Sequence, residues 1–79
     1  LRNTAKKPSV KNSLVRKYIE INSPSAFRYT IVDYSGSTVS KGSLVQGMNI
    51  VNTASLVNGM YIVQFTNGQQ QYAEKLMKQ

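Results

Sequence analysis

The sequence predicts an all-β domain, an antiparallel sandwich or small barrel. Three observations lead there. Apolar and polar residues alternate in short runs of about five to eight residues, the period of a half-buried strand. Turn-forming clusters punctuate these runs about every 8–12 residues: Asn22-Ser23-Pro24, Asp33-Tyr34-Ser35-Gly36, Gln46-Gly47, Asn58-Gly59 and Asn67-Gly68. No helical periodicity is present beyond residue 22.

Residues 1–13 (LRNTAKKPSVKNS) are polar, basic and interrupted by Pro8, and read as a linker into a domain over 14–79. The first residues carry no signal-peptide pattern, and Leu1 reads as the middle of a longer protein. Val10, Leu14 and Tyr18 recur at helical spacing. Lys17 to Ile21, however, alternates, is rich in β-formers and stops at Asn22-Ser23-Pro24, so a strand is preferred.

In FRYTIVDY, Phe27, Tyr29 and Ile31 face one way while Arg28, Thr30 and Val32 face the other. Asp33 to Gly36 then turns the chain. Asp33 bonds the backbone ahead of it, a better role for it than ligand or base, and Gly36 supplies positive φ. The weaker strand STVSKGSLV directs Val39 and Leu44 inward, with Gly42 marking a bulge. Gln46-Gly47 leads into Met48 to Asn52, Leu56 is a single plug, and Asn58-Gly59 is another turn.

MYIVQF alternates without a purely polar face, which suggests a central strand packed on both sides. Asn67-Gly68 is the strongest hairpin signal, expected as a type I′ turn with both residues at positive φ. The return strand runs through Tyr72, Ala73, Leu76 and Met77.

At 79 residues the chain is one domain or part of one. A chain of this size buries only about 60% of its unfolded surface, leaving little room for a deep active-site cavity. The 41% of residues that are hydrophobic still suffice for a core with a margin of a few kcal/mol. His and Cys are absent, which removes the common zinc, haem and iron–sulfur ligand sets and both cysteine and histidine catalysis. Only Glu20, Asp33 and Glu74 are acidic, and they lie far apart, so a carboxylate pair has little support. No catalytic residue, cofactor or metal is expected.

The net charge is +7, and six of the ten basic residues (Arg2, Lys6, Lys7, Lys11, Arg16, Lys17) fall in the first 17 positions. Such a cluster is a solvated arm or an attractor for an anionic partner. No 18-residue apolar run is present, so no membrane span is expected.

The order of the pieces is more specific than the class. From Tyr29 the chain gives Y-T-I-V-D-Y-S-G, then V-x-x-G-x-L, G-M-N-I-V, L-V-N-G-M-Y-I-V and finally K-L-M-K. This series resembles the C-terminal sorting domain of type IX (Por) secretion cargo in Bacteroidetes, over roughly residues 18–79. It departs from the family in lacking the usual Pro-Asn-Pro-like opening; Lys7-Pro8-Ser9 and Val15-Arg16-Lys17 stand there instead. The resemblance implies an Ig-like antiparallel β-sandwich of about six to seven strands behind a cargo domain. It further implies export through an outer-membrane translocon of a Gram-negative bacterium. Removal at the surface by a sortase-type peptidase usually follows, and the cargo is then secreted or attached to anionic lipopolysaccharide.

A signal read by a protein needs an accessible strand, and an exposed edge offers unpaired backbone groups for strand addition. Glu74 to Gln79 is the expected edge, with Lys75 and Lys78 flanking Leu76 and Met77 as the recognition candidates. The same lysines could equally keep an edge strand soluble; the resemblance favours recognition. Leu56-x-x-Gly59-x-Tyr61 reads as architecture: Leu56 closes the core, Gly59 allows a tight approach, and the Tyr61 hydroxyl finds a backbone partner. Gly47, Asn67 and Gly68 complete the structural positions. Residues 1–13 would hold, or lie just after, the peptidase cut.

Two other binding classes compete. A carbohydrate-binding module of a secreted glycoside hydrolase needs exposed aromatic platforms; there is no Trp, and only Tyr18, Tyr34 and Tyr72 are not claimed by inward strand positions. A nucleic-acid binder of OB type would interleave cations with aromatics, whereas here the cations gather in the leading arm, so no specific nucleic-acid partner is expected.

Overall fold

The computed structural model describes residues 7–11 and 14–79. Two two-residue strands, β1 (Ser9–Val10) and β2 (Leu14–Val15), precede six longer ones. These are β3 (Tyr18–Ser23), β4 (Phe27–Asp33), β5 (Thr38–Leu44), β6 (Gly47–Asn52), β7 (Gly59–Thr66) and β8 (Gln71–Lys78), in the places the alternation assigned. No helix occurs among the described residues. Val10, Leu14 and Tyr18, which share a helical spacing, belong to three separate strands.

The strands form two sheets, ordered β1-β3-β6 and β2-β8-β7-β4-β5. Every pairing is antiparallel except the short parallel one of Leu14 with Met77 and Val15 with Lys78. Hairpins join β4 to β5 and β7 to β8 within the larger sheet, and the other long-strand connections cross between sheets. The fold is the small β-sandwich that the turn spacing predicts.

Period-2 alternation decides what lies inside. Ile19 and Ile21 of β3 and Val51 of β6 pack against Phe27, Ile31, Leu44, Tyr61, Val63, Phe65 and Leu76 of the larger sheet. Each fully buried aliphatic or Phe side chain contributes about 1.5–3 kcal/mol of transfer free energy, which makes this layer the main source of stability. The buried polar residues are satisfied. The Ser23 hydroxyl donates to the Ser25 carbonyl at 2.7 Å, and the Thr53 N–H donates to the Lys17 carbonyl at 2.8 Å.

The leading arm enters the fold earlier than the linker reading placed it. Pro8 is fully buried, Ser9 and Val10 pair with Asn22 and Ile21, and the Lys11 N–H donates to the Glu20 carbonyl at 2.9 Å. The Val10 N–H reaches across to the Glu74 carboxylate at 3.2 Å. Proline is tolerated beside an edge strand because no ladder bond needs its missing N–H. The rest of the expected linker, residues 1–6 and 12–13, lies outside the described residues.

Three local expectations are corrected. Ile31 faces Ser40 while Val32 faces Thr38, so the extra bulge residue is Val39, 38% exposed, and not Gly42. The bulge removes the parity conflict of the STVSKGSLV reading: with one residue skipped, Leu44 points inward and Val39 need not. Gly42 instead sits opposite Tyr29, whose ring covers it so closely that an added Cβ would lie 2.8 Å from the ring.

At Asn67-Gly68 only Gly68 has positive φ, and Thr66 pairs with Gln71, leaving a four-residue loop in place of a type I′ turn. The Asn67 side-chain oxygen accepts the N–H groups of Gln69 (3.0 Å) and Gln70 (2.8 Å), an Asx arrangement that favours the longer loop. Finally, β7 is central by pairing but is covered on one face only. Tyr61, Val63 and Phe65 are buried, while Met60, Ile62 and Gln64 are exposed.

The Asp33 turn forms as expected. Its carboxylate accepts the Ser35 hydroxyl at 2.6 Å and the N–H groups of Ser37 and Ser35 at 3.0 Å each, and Gly36 takes φ +92°. The Ser35 hydroxyl first, then these backbone donors, hold the Asp33 carboxyl below its ordinary value of 3.8. At the β5–β6 crossing, Asn49 is the fastener. It donates to the carbonyls of Val45 (2.9 Å), Gly47 (3.1 Å) and Ile21 (3.3 Å) and accepts the Val45 N–H at 2.9 Å.

Two outcomes are expected. Gly42→Ala should lower the urea stability by about 1–2 kcal/mol, because the Tyr29 ring must move off its seat. Asp33 has a depressed folded pKa, so its contribution is complete above the ordinary carboxylate value and is lost as the pH falls through the folded one. Asp33→Asn should therefore flatten the acid limb of a stability–pH curve below about pH 4 and leave its neutral shape unchanged.

Candidate functional site: the last strand and its anchor

β8 pairs with β7 along its whole length, from Thr66 with Gln71 to Gly59 with Lys78. Because side chains alternate, the four candidates K-L-M-K cannot act as one contiguous patch. Leu76, 2% exposed, and Lys78, 8% exposed, point into the sandwich; Lys75 and Met77 point out. The pairing of Lys78 and Met77 with β2 means that β8 is not the bare edge the sequence suggested. The short β2 closes its outer side at the end where the candidates lie. Glu74, also inward, is engaged by the Val10 N–H.

Lys78 has a specific inward partner. Its ammonium donates to the Leu56 carbonyl at 2.9 Å. One residue further along the same loop, the Val57 carbonyl accepts the Tyr61 hydroxyl. A tyrosine near the start of a strand, bonded to backbone a few residues upstream, is the tyrosine corner of Ig-type sandwiches. Leu56-x-x-Gly59-x-Tyr61 builds it: Leu56 packs half-buried on the core, Gly59 takes φ +149°, and the Tyr61 ring is buried. Lys78 adds a second tie from the neighbouring strand to the same loop. Short hydrogen-bonded ties of this kind leave otherwise orphaned carbonyls satisfied.

The remaining structural positions sit at turns. Asp33 and Gly36 close the β4–β5 hairpin, Gly47 opens β6 after the sheet crossing, and Asn67 and Gly68 shape the β7–β8 loop. Asn49 was missed as an individual residue, although it stands in the G-M-N element; a polar residue two places after a turn glycine was the available signal.

No group of three or more His, Cys, Asp or Glu residues capable of holding a metal occurs among the described residues. No helix there is long and apolar enough to cross a membrane. The open aromatics are dispersed: Tyr18 lies on β3, Tyr34 in the β4–β5 turn, and Tyr72 packs at 6.2 Å against Phe27. They do not form one platform.

Together these features define a folded β-sandwich module whose last strand is fixed in register and presents one face. A family model, the secretion system C-terminal sorting domain, matches residues 15–79, and the chain belongs to that family. No curated protein matches the chain. The domain is accordingly a sorting signal for type IX secretion, recognised by that machinery, and directs export across the outer membrane to the cell surface or the extracellular space. The family places this domain in the sorting class rather than among carbohydrate-binding modules.

The double tie has a measurable consequence. Tyr61→Phe orphans the Val57 carbonyl and should cost about 1–2 kcal/mol in urea unfolding; Lys78→Ala removes the second tie and a packed stem and should cost about 1–3 kcal/mol. Because both act on one loop, the double variant should deviate from additivity by more than about 0.5 kcal/mol.

Proposed function

We propose that the type IX translocon reads β8 by its outward side chains, Lys75 and Met77, while Leu76 and Lys78 hold that strand in the register that presents them. The alternation of exposure along Lys75 to Lys78 carries this reading. A partner meets a cation and a flexible thioether on one side of the strand. On the other side a core plug and a backbone-tied ammonium keep the strand from slipping, since a one-residue slip would exchange the two sets. Met is well suited to a recognition contact because its unbranched, polarizable chain adapts to the opposing surface.

After export, a sortase-type peptidase removes the domain, and the freed cargo is released or joined to anionic lipopolysaccharide. The buried Pro8 and the paired Ser9 and Val10 support a cut outside residues 8–10, because a peptidase needs accessible, unpaired backbone.

The test uses the complete cargo protein in its own host. Lys75→Glu with Met77→Glu should leave the thermal midpoint within a few degrees, yet reduce extracellular cargo at least tenfold and raise the periplasmic pool. Leu76→Ala should lower stability by about 2–5 kcal/mol and lose export through unfolding. Normal export by a stable Lys75→Glu, Met77→Glu protein, or by a chain lacking 75–79, would refute the reading.

A further inference from the structure

The outward side of β8 does not end at β8. Across the register, Met77 lies opposite Met60, Lys75 opposite Ile62, and Ile62 in turn opposite Val32 of β4. Residues directly opposite on one face have Cβ atoms about 4.5–5.5 Å apart, so these side chains form one continuous surface. At the β8 and β7 positions the surface is open: Met60 is 42%, Ile62 41% and Met77 38% exposed. Near Met60 it runs into a groove that also takes in Tyr34, Val39 and Val57. Toward the 67–70 loop the same face turns polar, through Gln64 and Thr30, and ends in Arg28 and Lys41.

Charge on this face has a single sign. Lys75, Arg28 and Lys41 project from β8, β4 and β5, and no carboxylate among the described residues shares the face with them. Glu74 is inward and Glu20 belongs to the other sheet; Asp33 lines the groove near Met60, but it stands at an inward position opposite Tyr61 and its carboxylate is engaged by the β4–β5 turn. A flat apolar centre bordered by unopposed cations is complementary to an apolar protein surface bordered by carboxylates.

We propose that the whole outer face of the five-stranded sheet, and not β8 alone, is the docking surface, and that its occupant is an acid-bordered apolar protein surface of the export machinery. This rests on the reading of β8 given above and extends it by continuity across the sheet. An anionic glycan would use the cations and leave Met60, Ile62 and Met77 without a role. The apolar centre therefore favours a protein.

Lys41 gives the sharpest test, because β5 is the edge strand farthest from β8 in the run β8-β7-β4-β5. Lys41→Glu and Ile62→Asp would be introduced separately into the complete cargo protein, with Ile50→Asp as a control at a 67%-exposed apolar site on the other sheet. Thermal midpoints of all three would be checked. The expected result is at least a fivefold fall in extracellular cargo for Lys41→Glu and for Ile62→Asp, with Ile50→Asp near wild type. Normal export by both face variants, with export still blocked by Lys75→Glu and Met77→Glu, would overturn the extended face and leave the β8 reading standing. Loss confined to Lys41→Glu, with Ile62→Asp silent, would point to an anionic glycolipid and also overturn it. Sedimentation supplies one further outcome: a wild-type dimer made monomeric by Ile62→Asp, with export unchanged, would assign the face to a second copy and refute the proposal.

Discussion

The register of β8 against β7 is the constraint on which the rest of the molecule depends. Eight residue pairs fix it, from Thr66 with Gln71 to Gly59 with Lys78, and each end is fastened by chemistry outside the ladder. At the hairpin end, the Asn67 side chain binds the amides of its own loop. At the far end, the Lys78 ammonium is tied to the Leu56 carbonyl beside the Tyr61 corner. A strand whose side chains alternate has two possible faces, and its apolar pattern together with fastening of this kind selects one. Here it selects Leu76 for the core and Lys75 and Met77 for the surface.

The N-terminal segment completes the same device from the other side. β1 joins the small sheet and β2 the large one, so the chain straddles the sandwich before β3 begins. Through β2 it covers the end of β8, and through the Val10 N–H it engages Glu74. A terminal strand with one free side is the commonest liability of an open sheet. Two residues of parallel pairing, at Met77 and Lys78, suffice to cover that end of β8 without adding a long strand. For a chain of this size, where the apolar core alone leaves a narrow margin, such closure also limits fraying of the last strand.

Much of this was legible in the sequence. The alternations of FRYTIVDY and MYIVQF, and the Asp33 and Gly47 turns, gave the long strands, and the ordered motifs gave the family. What failed was long-range or depended on a side chain replacing a backbone partner. Asn67-Gly68 has the composition of a two-residue turn, yet the Asn carboxamide supplies the acceptor that makes a four-residue loop favourable. Gly42 looked like a bulge because glycine is common there, whereas its reason is the Tyr29 ring across the strand. Pro8 and Val10 looked like linker because a two-residue strand has too short a period to detect. Lys75, Leu76, Met77 and Lys78 were read together as candidates; parity within one strand divides them into an outward pair, Lys75 and Met77, and an inward pair, Leu76 and Lys78.

A signal laid out in this way differs physically from a linear tag. The side chains that share the outer face come from β4, β5, β7 and β8, between Arg28 and Met77 in the chain, and meet only when both hairpins are closed. In an extended chain Lys41 and Lys75 are separated by more than thirty residues, whereas in the sheet two strands stand between theirs. Recognition of such a face is therefore coupled to folding: every interaction that stabilises the sandwich, including ties as remote from the face as the Tyr61 hydroxyl, also sets the fraction of molecules that carry a readable signal. Since a few kcal/mol separate the folded from the unfolded state of a domain this small, loss of a single buried tie should lower recognition by population as well as by contact. Contact effects and folding effects are separable only because the strand places them on opposite sides of itself.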